Sequence, residues 1–594
     1  MDKKLTKLVK SALITCCFVM ASAAEVFAQP PVDAGALIRQ EERTRQPPKP
    51  ILPETRSRQS QPELKAIDST TILIKAVRFA GATELLKGNA INKKVKAFVL
   101  KAVGEKLDFD GLQSLTDHIT LLLKQDGWIL ARAYLPQQDV SDGVITISIL
   151  RGQLDSKSDP IVLDPVSGSA LRIDTDFLKG IGYEYLTPGQ AVHEDELERA
   201  LLLMNDLPGL DIRARLEAGQ EPESTRIHLL VNEGDLLTGM VQADNFGNRF
   251  TGNAEVSSEV VFNDLSGRGD RFSASTIVSE GVRLGRLNYG FPLGFQGWYA
   301  GLSFTNLHYD VVEGQAANQA DYEGTGRTFE ATLRYPLLRS RQKNIWLDLG
   351  VRTDYLEDRF NKSLIADKRL NSGRVGLRGD VIDHWQGGGR SNWSFDWISG
   401  NLDLSRLLQQ QQNDDNSFKS SGQFDKLEYT LSRHQYIDES LSLYLEFSGQ
   451  LASSNLDSSQ KFFPAGPNGV RAYPGSEAAA DEGQLLRAEL RYNVGGVFEN
   501  LGNLRLNFFY DQAWVQLSDS HPSGISISNA AGANRYHIAG AGVGMRLVKD
   551  ERYGVSLNLA RKIGSNPGRD ANTGFDSDER DNLYSVSMQG VLWF

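Results

Sequence analysis

Residues 441–451 read LSLYLEFSGQL. The odd positions are Leu441, Leu443, Leu445, Phe447, Gly449 and Leu451, and the even positions are Ser442, Tyr444, Glu446, Ser448 and Gln450. Successive side chains of a strand point to opposite faces, so this segment offers one face to lipid and one to water. The same texture recurs at 345–351, 486–492, 504–511, 543–547, 555–559 and 584–594, between polar stretches rich in Gly and Asp. A soluble β-sandwich alternates for the same reason. Two features favour a membrane barrel instead. The pattern persists from about Leu237 to the end of the sequence, and the last strand puts Tyr584, Val586, Met588, Leu592 and the terminal aromatic Phe594 on one parity. At ~22 residues per strand and loop, residues 237–594 accommodate roughly sixteen antiparallel transmembrane strands.

The other end of the chain reads as an export signal over residues 1–28. Lys3, Lys4, Lys7 and Lys10 precede a short apolar stretch, and Val26 and Ala28 suit cleavage after Ala28. Both cysteines, Cys16 and Cys17, fall in this segment; a lipidated Cys16 is an alternative, against which Thr15 counts. The exported chain then has neither disulfides nor thiolate metal ligands. Downstream, no run of 18 apolar residues marks a membrane helix. A net charge of −11 argues against nucleic acid as a partner.

Residues 29–46 contain PVDAGALIRQEERTRQ, a helical reading with Asp33 as cap and Ala34, Leu37 and Ile38 as an apolar stripe. Residues 47–69 carry Pro47, Pro48, Pro50, Pro53 and Pro62, the composition of an extended linker. By composition alone, disorder throughout 29–69 is equally open. Residues 70–152 read as an α+β unit: a strand at 71–79, a helix carrying Leu112, Leu115, Ile119, Leu122 and Leu123, then strands at 128–135 and 144–150. Residues 153–236 repeat that plan, with a helix at 197–204, a turn at 205–209 and strands at 212–216 and 227–231.

Several strings resemble those of two-partner-secretion outer-membrane transporters, a family with polypeptide-transport-associated (POTRA) domains ahead of a barrel. Gly127-Trp128, Pro136, Gln138 and Gly152 match the end of the first POTRA domain, and Asn205, Asp206, Leu207, Pro208 and Gly209 match a string of the second. Residues 244–252 and 263–270 resemble the first barrel strands and turn. Residues 463–483 (FPAGPNGVRAYPGSEAAADEG) resemble the family's long loop that folds back into the lumen, with Val470, Arg471, Ala472 and Tyr473 at a Val-Arg-Gly-Tyr tip. The resemblance implies that Arg471 pairs with an inner-wall aspartate in a Phe-x-Asp-x-Gly strand, here Phe509 to Ala513 with Asp511. Parity agrees independently, since Leu504, Leu506, Phe508 and Tyr510 take the lipid side. Ala472 and Ala513 replace family glycines, which puts the tip's turn and its contact with the wall in question.

The resemblance implies a pore that takes a large unfolded exoprotein from the periplasm to the cell surface. The helix at 29–46 would plug the lumen, and Phe594 would be read by barrel-assembly machinery. No cofactor, metal site or catalytic residue is expected. The eight histidines form no His-x-x-His pair, and the acidic run Asp576, Asp578, Glu579, Asp581 lacks calcium-loop spacing and reads as a solvated loop. Alternatives are a barrel insertase of the same superfamily, which usually has more POTRA domains, and a passive porin or receptor.

Overall fold

The computed structural model describes residues 32–44, 71–314, 321–494, 501–521, 527, 529–549 and 552–594. The segments read as an export signal (1–28) and a linker (47–69) lie outside them. Sixteen antiparallel strands, from Leu237–Asp244 to Tyr584–Trp593, close into a barrel in sequence order. Closure leaves no unpaired edge, the condition for backbone amides to survive in lipid.

The alternation read from the sequence is the alternation of the wall. On the strand Leu441–Ala452, Leu445 and Leu451 are exposed, whereas Ser442, Ser448 and Gln450 are buried in the lumen. On Asn503–Gln516, Phe508 is 60% exposed and Asp511 is 0% exposed. The first strand follows the second α+β unit, so strand starts and ends alternate between the periplasmic and extracellular rims.

The seam between first and last strands pairs only residues 240–244 with 589–593. It is extended at both ends. Towards the periplasm, Gly239 and Phe594 exchange backbone hydrogen bonds of 2.7 and 3.0 Å. Towards the outside, the Asn245 side chain donates to the Val586 carbonyl and accepts from the Met588 amide, both at 2.8 Å. An amide side chain thus substitutes for a missing pair of strand residues.

Two α+β units precede the barrel. In the first, Val144–Leu150 is flanked by Ala76–Gly81 in parallel and by the three-residue strand Arg132–Tyr134. Helices Asn89–Ala102 and Phe109–Gln125 bury Ile91, Val95, Leu112, Leu115, Ile119 and Leu123 against the sheet. In the second, Ser224–Glu233 is the central strand, covered by helices Thr175–Tyr185 and Glu194–Asn205. Sequence reading missed the first helix of each unit. It also took 71–79 as one strand, where the chain breaks between Ile72–Leu73 and Ala76–Gly81. The strand expected at 128–135 shrinks to Arg132–Tyr134, because Gly127 at φ 95° starts a turn through Leu130. The stretch 409–416, expected as a loop, is the helix Leu408–Asp415 at the extracellular rim.

The family-like strings have structural jobs here. The Gln138 amide donates to the Thr146 carbonyl at 2.8 Å and accepts its N–H at 2.7 Å, extending the sheet where Pro136 ends the short strand. Asn205 does the same for Ile212, and Gly209 sits at φ 76° in the turn after Pro208. Asp206 instead leaves its own unit. It accepts two hydrogen bonds from Arg339 on a periplasmic barrel turn, at 2.9 and 2.7 Å. Asp174 N–H to the Gly267 carbonyl (2.6 Å) and Arg199 to the Pro336 carbonyl (2.8 Å) fix the second unit to the same rim.

A side chain at Gly239 would place its first carbon 2.5 Å from the Phe594 ring and 2.8 Å from the Glu259 carbonyl. Gly239→Leu is therefore expected to open the seam at a cost of about 1–3 kcal/mol, read as a smaller heat-modifiable fraction on semi-native gels, with Val241→Leu unaffected as control.

Candidate functional site

The lumen holds two inserts, the loop between Leu441–Ala452 and Glu482–Val494 and the helix Ala34–Thr44. The loop brings Arg471 onto the inner wall. Its Nε donates to Asp511 Oδ2 at 2.8 Å and its Nη2 to Oδ1 at 2.7 Å, a bidentate pair. Its backbone N–H reaches the same carboxylate at 3.2 Å, and Nη1 donates to Glu489 at 2.7 Å. The guanidinium lies 3.5 Å from the centroid of the Phe509 ring. Arg471, Asp511 and Glu489 are all buried.

Glu489 was not foreseen, although the signal was present. Arg487, Glu489 and Arg491 occupy alternate positions of one strand, three charges on a face that must point inward. Register does the rest: Arg487 is opposite Asp511 and Glu489 opposite Phe509. Arg491 donates to Glu489 at 2.8 Å, and Arg487 stands 3.9 Å from Asp511, so no carboxylate is left unpaired.

The two alanines that depart from the family pattern are accommodated separately. Ala472 does not adopt a positive φ; Ala478 is the non-glycine residue of this loop that does. The Ala472 methyl sits over Gly540, where an added side-chain carbon would come within 2.6 Å of it. Gly540 is directly opposite Asp511 and is followed inward by Gly542 and Gly544. These three glycines form a trough, with the Phe509 ring over the second. Ala513 is buried against Leu485 and Ile538 on either side. Val470 and Tyr473 are buried with it.

Of the acidic run read as a solvated loop, Asp581 is exposed and Asp578 and Glu579 are half-buried, but Asp576 is not solvated. Asp576 is buried and bonds Lys562, Asn566 and Arg569. The neighbouring Glu477, on the inserted loop, accepts from Asn566 at 2.8 Å and from the Ser577 amide at 2.7 Å. The inserted loop is thereby tied to the last extracellular loop.

The helix is held at both ends by that inserted loop. Asp33 caps it through the Ala36 amide at 2.7 Å and also accepts from the Ser458 hydroxyl. Lys368 links Asp33 (3.3 Å) to Asp457 (2.8 Å). At the other end, Asn468 donates to the Arg43 carbonyl, and Arg43 lies over the Phe462 ring. One side of the helix buries Val32, Ala34, Leu37 and Ile38 against Leu284, Leu307, Tyr309 and Leu356. The other pairs with the wall through Arg39–Glu428 and Glu42–Arg352, the latter at 2.7 Å. The expected apolar stripe exists, and on the other side Arg39 and Glu42 are each paired with an opposite charge of the wall.

A closed sixteen-stranded barrel with an inserted loop, a luminal helix and α+β units on one rim defines a class, the outer-membrane barrels with POTRA domains, whose members the fold alone does not separate by function. Comparison with known proteins narrows it. The model of the haemolysin secretion/activation protein ShlB/FhaC/HecB family matches residues 223–547, more than half of the chain, and the ShlB-type POTRA domain matches 72–152. The chain belongs to that family. It is 24% identical over 477 residues to the heme/hemopexin transporter protein HuxB of Haemophilus influenzae strain 86-028NP, covering 79% of this chain and 80% of the relative. It is 22% identical over 487 residues to the outer membrane transporter CdiB of Escherichia coli, covering 79% and 77%. The solved structure of CdiB from Escherichia coli superposes with a TM-score of 0.69 at 17% identity, over 96% of this chain and 100% of that one. The protein is thus an outer-membrane translocator of an exoprotein, with POTRA structure in the periplasm.

Gly540→Ala is expected to push the loop tip off the wall at a cost of about 1–3 kcal/mol, seen as protease cleavage of the inserted loop. Adding Ala472→Gly should restore protection, which simple damage to the strand would not allow.

Proposed function

We propose that the protein receives an unfolded exoprotein at its two periplasmic α+β units, taken here as POTRA 1 (70–152) and POTRA 2 (153–236). The pore opens when the luminal helix leaves and the Arg471 loop shifts. The observation that carries this reading is the shared anchoring: the loop bearing Arg471 also holds the helix through Asp457, Ser458 and Asn468. Neither insert can move far without loosening the other. An extended chain can dock by adding to an exposed sheet edge or by lying between helix and sheet, modes that demand little of sequence. Folding outside can supply direction without a nucleotide. The lipid-facing band, with Phe508, Val543, Met545 and Leu592 exposed, fits an outer-membrane seat reached through barrel-assembly machinery that reads the Phe594 end. The family is one of transporters, and no catalytic role is assigned to any residue.

Secretion by cells carrying Arg471→Ala, with surface display of the barrel checked in parallel, tests the loop's role. Removing one partner of a buried ion pair costs about 3–5 kcal/mol, so the loop tip is expected to detach and secretion to fall at least about tenfold while the barrel remains displayed. Undiminished secretion would sink the reading. For the helix, Lys368→Ala together with Glu42→Gln is expected to raise the open fraction in planar-bilayer recordings; unchanged conductance would mean that the helix does not close the pore.

A further inference from the structure

Arg505 and Arg546 stand directly opposite each other on Asn503–Gln516 and Arg535–Lys549. Both have the inward parity of Asp511 and Gly540, and both lie close to the periplasmic ends of their strands. Like charges facing each other across a strand pair oppose sheet formation. Three other inner-wall arginines show how such charges are balanced. Arg334 and Arg378 share Asp348 at 2.8 and 2.5 Å, and Arg390 has Asp380 at 3.3 Å. Among the described residues, neither Arg505 nor Arg546 has a carboxylate within ion-pair distance, and Arg505 Nε is buried without a hydrogen-bond partner. Arg491, across from Asn507, adds a third guanidinium to the patch, but it is committed to Glu489 at 2.8 Å and to the Tyr444 ring. The same inward row continues through Ser556 and Gln589, both uncharged hydrogen-bonding groups.

An unbalanced cationic pair at the mouth of a confined polar channel is completed by an anion supplied from outside the wall. Guanidinium side by side with guanidinium suits carboxylates, which each can take bidentately. We propose that Arg505 and Arg546 are an acceptor for the acidic side chains of an extended polypeptide entering the lumen from the periplasm. This rests on the translocation reading and names a substrate feature within it: acidic segments are drawn to the wall between the seam and the Arg471 loop, while basic ones are not. The contact is brief and sequence-tolerant, since it reads charge rather than side-chain shape. It lies on the periplasmic side of Asp511 on the same strand, so a passing chain meets the pair before it meets the loop tip.

The test uses the full chain in planar lipid bilayers. An unstructured Glu/Gly/Ser peptide, or a Lys/Gly/Ser peptide of equal length, is added on the periplasmic side. The acidic peptide should block current, and its half-blocking concentration should rise about tenfold in Arg505→Gln/Arg546→Gln, with Arg505→Lys/Arg546→Lys close to wild type. The reversal potential of the double Gln variant should also shift towards cation selectivity, a readout that needs no peptide. Equal block by the two peptides, or unchanged block and selectivity in the Gln variant, overturns the proposal. So does sulfate competing as well as the peptide at matched charge, which would make the pair a small-anion site. Exoprotein secretion by wild-type cells is measured alongside: its absence counts against translocation itself, whereas unaltered block with intact secretion counts against this inference alone.

Discussion

The carboxylate of Asp511 is buried inside a barrel, and everything near it is arranged around that charge. A lone buried carboxylate is costly, and its compensation must come from groups with fixed geometry. Here the compensation arrives on a loop rather than on the wall. Arg471 brings two guanidinium donors and a backbone N–H to the same carboxylate, so holding the charge and holding the loop are one interaction. The loop in turn secures the helix, and the helix fills the upper lumen. A single electrostatic requirement on one strand thereby propagates to the closed state of the pore.

The trough of Gly540, Gly542 and Gly544 shows how the wall yields room for this. Barrel strands of β-branched residues would hold the loop tip away from Asp511 by the thickness of a side chain. The glycines allow the tip to come into contact, and the Phe509 ring then serves as a floor beneath the guanidinium. Side-chain volume is exchanged across the interface, with Ala472 occupying space that Gly540 leaves free.

Much of this was legible in the sequence, for a physical reason. Lipid on one side and water on the other impose a period of two on every wall strand, so the inward orientation of Asp511 followed from Leu506, Phe508 and Tyr510. The helix Asn89–Ala102 was hidden because lysines at 93, 94, 96 and 101 interrupt its apolar stripe of Ile91, Val95 and Phe98. The partners of the luminal helix were hidden for another reason: Glu42 and Arg352, or Asp33 and Lys368, are hundreds of residues apart and meet only through barrel closure. The role of Asp206 divided likewise. Its neighbours Asn205 and Gly209 make a turn that local chemistry explains, while its own bond to Arg339 depends on how the second unit sits on the rim.

The direction of the luminal helix sets how it yields under load. Its Asp33 end lies at the extracellular rim beside Asp358 and Lys368, and its Thr44 end points down the lumen, towards the rim that carries the α+β units. Tension applied from the periplasm therefore reaches the Arg43 contacts first, then Glu42–Arg352, then Arg39–Glu428, and the Asp33 cap last. A rigid helix pulled along its axis would load these contacts together, as in shear, but an eleven-residue helix that unwinds from its Thr44 end loads them one after another, as in unzipping. Along the unwinding route the peak force is set by the strongest single contact rather than by their sum, so an anchorage that is firm at rest can be peeled away by a modest, steady pull on the periplasmic side.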